Sequence, residues 1–443
     1  MIALRVYLET YGCQMNEYDS ELVRTILRQE QFTFTELAED AEVVLLNTCA
    51  IREHAYDKIY GRIGTLAPLR VQQPDLVVGV LGCMAQNLKD DLLRPNSGVD
   101  LIAGPDSYKR LPALIRQVRE QGSKGMEIDL SEYETYSDIV PERVPGVNAW
   151  IAVMRGCDNF CSFCVVPYTR GRERSRTVES VVEETRQLAD LGYRQVTLLG
   201  QNVNSYAAEG AAFADLLLAV AEVTGIERVR FTSPHPKDFP RRLLHAIAGN
   251  PKLCKHIHLP VQSGSDRVLD RMRRTYTRAE YLELVAEIRR AIPEVSLSTD
   301  VIAGFPGETE PEFLETATLM EEVQFDSAFL FKYSERRGTI AERKYPDDVP
   351  EAVKSARLVQ LNALQKTAAR RRNQAWVGRT LPILVEGASR RSEDDCFGRA
   401  DGNQGVVFPK SAARPGEFAS VTITSVSAHT LLGHLAAGIV APA

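Results

Sequence analysis

The chain has 443 residues, 44% of them hydrophobic, with 53 basic against 59 acidic side chains and a formal net charge of -6. That length suggests two to four domains with more than one core, and the acidic balance argues against wholesale attraction to nucleic acid, which a basic surplus would mark. No run of about 18 apolar residues appears, and the opening "MIALRVYLETYGCQMN" lacks the basic and apolar regions of a signal peptide, so the expected setting is cytoplasmic, with no membrane.

Eight cysteines in a reducing compartment call for metal ligation, redox or nucleophilic chemistry, or plain burial, rather than disulfides. From about residue 5 to 125, short apolar runs such as "RVYLETYG", "AEVVLLNTC", "DLVVGVLGC" and "VDLIAGP" alternate with helical patterns such as "EYDSELVRTILRQE" and "YKRLPALIRQVREQ". This alternation predicts an α/β domain, 1–125, on an open parallel sheet. Cys13, Cys49 and Cys83 each follow a predicted strand, 36 and 34 residues apart, so one strand-helix unit separates each pair. Loops at the carboxyl ends of such strands form the ligand crevice, where three cysteines can meet and share a metal cluster. Three buried thiols packed as small apolar groups are the plainer alternative.

Residues 126–147 carry acids, two prolines and little periodicity, and are expected to be a linker. From 148 to 376 the alternation resumes with strands at "AWIAVMR", "QVTLLGQ", "RVRFTS", "HIHLPVQ", "SLSTDVIAGF" and "SAFLFKYS", followed by a long helix over 351–376. Six strand-helix units predict a partial, open (βα)6 barrel with its chemistry on the loops at the strands' carboxyl ends. From 377 to 443, helix patterns vanish and turns multiply, which predicts a small β-barrel of a kind often used to hold oligonucleotides.

Cys157, Cys161 and Cys164 lie on the loop after the first barrel strand, in "MRGCDNFCSFCVVPYTRGRERSR". Four-iron clusters normally take four thiolates, one per iron, so three cysteines leave one iron open for a molecule that must bind and react. Zinc would need a fourth ligand from far away in the chain. A dithiol oxidoreductase would use Cys161 and Cys164 but leave Cys157 unexplained. The seven histidines show no ligand-like spacing. His235 and His258, near strand ends, could touch substrate or cofactor, though a hydrogen-bonded structural role is the commoner one.

The Cys-X3-Cys-X2-Cys loop, with Phe163 before its last cysteine, resembles that of the radical S-adenosylmethionine superfamily. The resemblance implies that S-adenosylmethionine chelates the open iron and is cleaved to a 5'-deoxyadenosyl radical. "STDVIAGFPGETE" is similar to the segment of that superfamily that packs on the adenine, where Gly304, Pro306 and Gly307 would allow close backbone approach. The three blocks together, with "TYGCQMNEYDSE", "NTCAIRE", "VLGCMAQ" and "LPVQSGSDRVLDRMRRTYTR", resemble the methylthiotransferases over nearly the whole chain, most closely their tRNA branch.

That resemblance implies two 4Fe-4S clusters, the second held by Cys13, Cys49 and Cys83 and carrying the sulfur to be transferred. It also implies a TRAM-like C-terminal β-domain and two S-adenosylmethionine molecules per product, one methylating that sulfur and the other generating the radical. The expected reaction puts a methylthio group on C2 of N6-isopentenyladenosine at position 37 of tRNA, in the anticodon loop. An electron donor such as flavodoxin or ferredoxin is expected, with an unspecified sulfur source. The same chemistry on threonylcarbamoyl-adenosine or a ribosomal-protein aspartate, and a non-catalytic iron-sulfur RNA-binding protein, are the alternatives. RNA contact is expected from Arg170, Arg172, Arg174 and Arg176, at alternate positions beside the loop, and from Arg370, Arg371 and Arg372. A solvated face, or for the second run the helix dipole, would also account for them. Cys254 and Cys396 match no ligand position and are expected to be free thiols.

Overall fold

The computed structural model describes residues 4–50, 55–410 and 413–436. Part of "NTCAIRE" and the outermost ends of the first and last predicted domains lie outside the described residues.

The first unit contains β1 (Arg5–Thr10), α1 (Gln14–Gln29), β2 (Thr33–Phe34), β3 (Val43–Thr48), α2 (Ala55–Gln72), β4 (Val77–Gly82), α3 (Cys83–Leu88), β5 (Leu101–Ala103), α4 (Leu111–Gln121) and β6 (Gly125–Glu127). Its strands form one parallel sheet in the order β2-β1-β3-β4-β5-β6. β3 and β4 are apolar on both faces and buried throughout, as parallel strands covered by helices on each side must be. One face packs on α1 and α4 through Leu22, Ile26 and Ile115, the other on α2 and α3 through Ile59, Ile63 and Met84.

The predicted linker is built into this unit. Its first residues are the edge strand β6, and Ile139 and Tyr136 sit in the core. The Tyr136 hydroxyl donates to the Pro105 carbonyl at 3.0 Å and accepts from the Tyr108 N–H at 3.1 Å. Prolines and acids stop a helix here without stopping burial.

The second unit contains β7 (Asn148–Ala152), the paired short strands β8 (Met154–Arg155) and β9 (Arg174–Ser175) with α5 (Val166–Thr169) between them, α6 (Val178–Asp190) and β10 (Gln195–Leu199). A small hairpin of β11 (Ala207–Ala208) and β12 (Ala211–Ala212) precedes α7 (Phe213–Ala221), β13 (Arg228–Phe231), α8 (Arg241–Gly249) and β14 (His256–His258). Then come α9 (Asp266–Arg271), α10 (Arg278–Ala291), β15 (Ser296–Ala303), α11 (Glu310–Val323), β16 (Ser327–Lys332), α12 (Ile340–Lys344) and α13 (Glu351–Gln374). Helix starts are marked chemically: Thr277 and Glu280 cap α10 reciprocally, and at α11 Glu312 accepts from the Thr309 N–H and hydroxyl.

All six predicted barrel strands form, as two three-stranded parallel sheets, β13-β10-β7 and β14-β15-β16. They are not one unbroken wall. β14 is only three residues long, and the sheets meet through a single bridge between Val229 and Leu253. Along β15, Leu297, Val301 and Ala303 point to the helices, while Ser298, Asp300 and Ile302 alternate onto the concave face. That face is polar: Asn148 Oδ1 accepts from Gln195 and Thr197, and Gln195 Oε1 accepts from Arg230.

The last unit is a closed five-stranded barrel of β17 (Thr380–Ser389), β18 (Ser392–Arg399), β19 (Gly405–Pro409), β20 (Phe418–Val426) and β21 (Thr430–Leu435), around Ile383, Val406, Phe408, Val421 and Leu431. Its β18-β19 turn docks at the amino ends of the second unit's strands. Arg228 donates to the carbonyls of Arg399 and Pro382, and Arg230 to those of Ala400 and Asp401. Phe408 is fully buried in this small core, so Phe408→Ala should cost about 3–5 kcal/mol in denaturant unfolding of the C-terminal barrel. A change below about 1 kcal/mol would contradict this packing.

Candidate functional site at the domain seam

Cys13 and Cys49 lie together at the carboxyl end of the first sheet as free thiols joined by a hydrogen bond, with Cys83 opening α3 beside them. Gly12 permits the approach: at φ 141°, a Cβ there would come within 2.6 Å of the Cys49 Cβ. Two buried asparagines lock the arrangement. Cys13 donates to Asn16 Oδ1, Asn16 donates to Asn47 Oδ1 and the Thr48 carbonyl, and Asn47 donates back to the Asn16 carbonyl and Ser20. The spacings in "CQMN" and "NTC" follow from that cross-link. The Cys49 hydrogen bond and, against burial, the Arg170 charge lower the Cys13 thiol to about 6. Burial pushes Cys83 upward despite the same arginine.

The second trio sits in the loop closed by β8 and β9. Gly156 has φ 80°, and a Cβ there would strike the Arg172 carbonyl at 2.0 Å, so this loop folds back on itself only with glycine before Cys157. Cys157 N–H donates to the Gly171 carbonyl, and Cys164 N–H to the Cys161 carbonyl. Ser162 pins the turn from below, its N–H on the Met272 carbonyl and its hydroxyl on that of Arg271. Burial raises Cys157 to about 12 and also raises Cys164. Arg274, buried, donates to Cys161 Sγ at 3.4 Å.

The two trios adjoin. Cys83 packs with Ala50, next to Cys49, and with Val165, next to Cys164, in one apolar cluster. Phe163 packs against the apolar cluster of Val268, Met272, Phe305, Tyr333 and Ala341, on which Ile302 of the "DVIAGF" segment also rests. Gly304 and Gly307 are crowded by Lys354 and Arg271 side chains, and Pro306 is buried between them. Buried polar atoms without partners gather on these loops: Gln201 Oε1, Asn202 Oδ1, Arg271 Nε, Glu308 Oε1 and the Tyr333 hydroxyl. Such groups are normally satisfied by a ligand or water.

The arginine run behaves differently from an exposed basic strip. Arg170, Arg174 and Arg176 are buried and ion-paired: Arg170 with Asp19 at 2.7 Å, Arg174 with Asp106 at 2.8 Å, and Arg176 with Glu184. Asp19 and Asp106 lie in distant parts of the chain and Glu184 on the helix that follows, so the loop is clamped on both sides where alternation alone suggested one wet face. These three are therefore corrected to structural ion pairs, and only Arg172 of the run is exposed, beside Asp158 and over the Phe160 ring. Arg370 and Arg371 are exposed on α13, while Arg372 pairs with Asp326.

His235 is buried and accepts from Lys237 N–H; burial, then Arg274, drives it to about 2, so it is a neutral structural group. His258 faces the barrel interior between Ser298 Oγ, Asp300 and the Phe329 ring. Cys254 is buried near Arg230 and Asp401, and Cys396 lies in the C-terminal core. Asp19, Arg155 and Arg274 went unnoticed in the sequence, although each stands within a quoted motif.

Arg176 also touches Tyr18 and the Ala152 carbonyl, and Glu184 is shared with Arg143, which reaches Glu21 of α1. Arg176→Ala should therefore cost about 3–5 kcal/mol in denaturant unfolding, as stripping one partner from a buried pair does. A loss under about 1 kcal/mol would mark a surface-type pair instead.

Three family models match in series: uncharacterized protein family UPF0004 over residues 5–104, the radical SAM superfamily over 151–320, and the TRAM domain over 374–436. Among solved structures, the chain shares its fold with the radical S-adenosylmethionine methyltransferase TsrM from Kitasatospora setae, with a TM-score of 0.60 and 15% identity over 77% of each chain. The cobalamin-dependent radical enzyme OxsB matches 83% of this chain and 56% of its own, with a TM-score of 0.53 and 12% identity. Curated relatives are nearer. The tRNA-2-methylthio-N(6)-dimethylallyladenosine synthase of Porphyromonas gingivalis is 48% identical over 97% of this chain and 95% of its own length. That of Chloroherpeton thalassium is 49% identical over 97% and 96%. The chain belongs to the tRNA-2-methylthio-N(6)-dimethylallyladenosine synthase family of radical SAM enzymes.

Proposed function

We propose that this enzyme adds a methylthio group to C2 of N6-isopentenyladenosine at position 37 of tRNA, with Cys157, Cys161 and Cys164 holding one 4Fe-4S cluster and Cys13, Cys49 and Cys83 the other. The observation that carries the assignment is the shared packing of Cys83, Ala50 and Val165, which puts both trios against one seam. Each trio suits a cluster better than a single ion. A four-iron cluster takes one thiolate per iron, and each trio supplies three free thiols.

When bound, the clusters and S-adenosylmethionine supply the carbon radical and the methylthio sulfur, chemistry no side chain here can provide. The protein's own residues hold and shield. Phe163 and Ile302 wall the loop of the second trio, and Gly304, Pro306 and Gly307 shape the neighbouring turn where the nucleotide part of S-adenosylmethionine would lie. Glu308 fixes that turn by accepting from Gly304 N–H and from Arg357. The target adenine has to leave its stack to reach the seam, which a single-stranded anticodon loop makes less costly. Arg172, Arg370 and Arg371 remain the exposed cations of the predicted set for its phosphates. A small electron carrier such as flavodoxin or ferredoxin would reduce the clusters in the cytoplasm. Among the described residues no helix is long and apolar enough to cross a membrane.

Cells lacking the gene should accumulate N6-isopentenyladenosine in tRNA without its 2-methylthio form when nucleosides are analysed by mass spectrometry; unchanged nucleosides would reject the assignment. Replacing Arg370 and Arg371 with Gln should lower the slope of log affinity for tRNA against log salt by about 1–2, as expected for two lost phosphate contacts. An unchanged slope would remove them from the RNA surface.

A further inference from the structure

Arg170 lies six residues after Cys164, yet its guanidinium crosses the seam to the other trio. Its Nε donates to Cys83 Sγ at 3.2 Å, and its Nη2 donates to Asp19 at 2.7 Å. The side chain is 4% exposed, and Nη1 is buried with no hydrogen-bond partner among the described residues. The cation also lies within Coulomb reach of Cys13. A guanidinium buried this deeply normally spends its N–H groups. An unspent donor beside two thiols therefore points to an acceptor that binds among them.

Asp19 makes the placement rigid. Its carboxylate is fully buried on α1 and accepts from Arg155 as well as Arg170, at 2.7 Å each. Burial opposes its charge, but the two arginines outweigh burial and hold the carboxyl below its usual range. Arg155 in turn lies over the Tyr136 ring at 4.7 Å. Arg170 cannot swing away without taking the charged donor from Asp19 Oδ2, leaving only Oδ1 paired, with Arg155.

We propose that Arg170, clamped by Asp19, is a positioning residue for the N-terminal cluster, hydrogen-bonding the Cys83 thiolate and offering Nη1 to the anionic sulfur of that centre. The inference rests on Cys13, Cys49 and Cys83 holding the second cluster. Hydrogen bonds and net charge at the sulfurs set a cluster's reduction potential. A fixed cation with N–H donors stabilises the more negative, reduced state, so its removal makes reduction harder.

The test uses full-length protein in which Cys157, Cys161 and Cys164 are Ala, leaving the N-terminal cluster alone to be measured. Iron content and an EPR-monitored redox titration compare Arg170→Gln, Arg170→Lys and the control Arg174→Gln. Arg174 is buried in the same loop, but its partners are Asp106 and the carbonyls of Glu134, Arg170 and Arg172. The parent and control should each hold about four irons and share one midpoint. The Gln variant should titrate at least about 59 mV lower, a tenfold less favourable one-electron reduction, with Lys in between. Iron loss from both Arg170 variants with the control loaded supports the same role. A loaded Arg170→Gln with the parent midpoint overturns it; if only the Lys variant loads, a lowered midpoint supports the role and an unshifted one overturns it. Absence of iron from the three-Ala parent would instead refute the second-cluster assignment itself.

Discussion

A carboxylate shut away from water needs its positive partners, and Asp19 has two, both from the second unit of the chain. Removing either would leave one buried carboxylate oxygen without its charged donor, and removing both would strand the charge. Asp19 stands on α1, which Cys13 immediately precedes at the N-cap, while Arg155 and Arg170 bracket the loop of Cys157, Cys161 and Cys164. One charge triad therefore sets the position of one cysteine trio relative to the other. Arg174 with Asp106, and Arg143 and Arg176 with Glu184, repeat the device along the same seam. The specificity of this docking comes from where the charges are buried more than from how many there are.

Within that frame each trio is assembled by short-range chemistry. Glycine before the cysteine removes a side chain where two backbones meet, and a polar residue nearby, Asn16 in one case and Ser162 in the other, ties the loop down. Each trio also receives one buried guanidinium, from Arg170 on Cys83 and from Arg274 on Cys161. The C-terminal barrel closes the opposite end of the second unit through the carbonyls of its β18-β19 turn, leaving the carboxyl ends of the strands for the reaction. The proposed cluster site and the TRAM domain thus occupy opposite ends of one scaffold.

The strands of the first two units were legible because apolar runs bounded by helical patterns leave little choice, and the cysteines because each follows such a run. β2 and β6 escaped notice since two or three edge residues carry no pattern of their own. The segment 126–147 looked like a tether because burial there is carried by scattered side chains, Tyr136 and Ile139, without a period. The arginines misled for a related reason. Alternation at 170, 172, 174 and 176 resembles one solvated face, but whether a cation is wet depends on acids far off in sequence, such as Asp19 and Asp106, and only folding brings these near.

The central claim is that the seam holds two iron-sulfur centres side by side. Low-temperature EPR of the fully reconstituted, reduced protein decides this when set beside two variants, one with Cys157, Cys161 and Cys164 changed to Ala and one with Cys13, Cys49 and Cys83 changed to Ala. The account predicts broadening or splitting from magnetic coupling in the two-cluster protein. A spectrum equal to the sum of the two single-cluster spectra would contradict it.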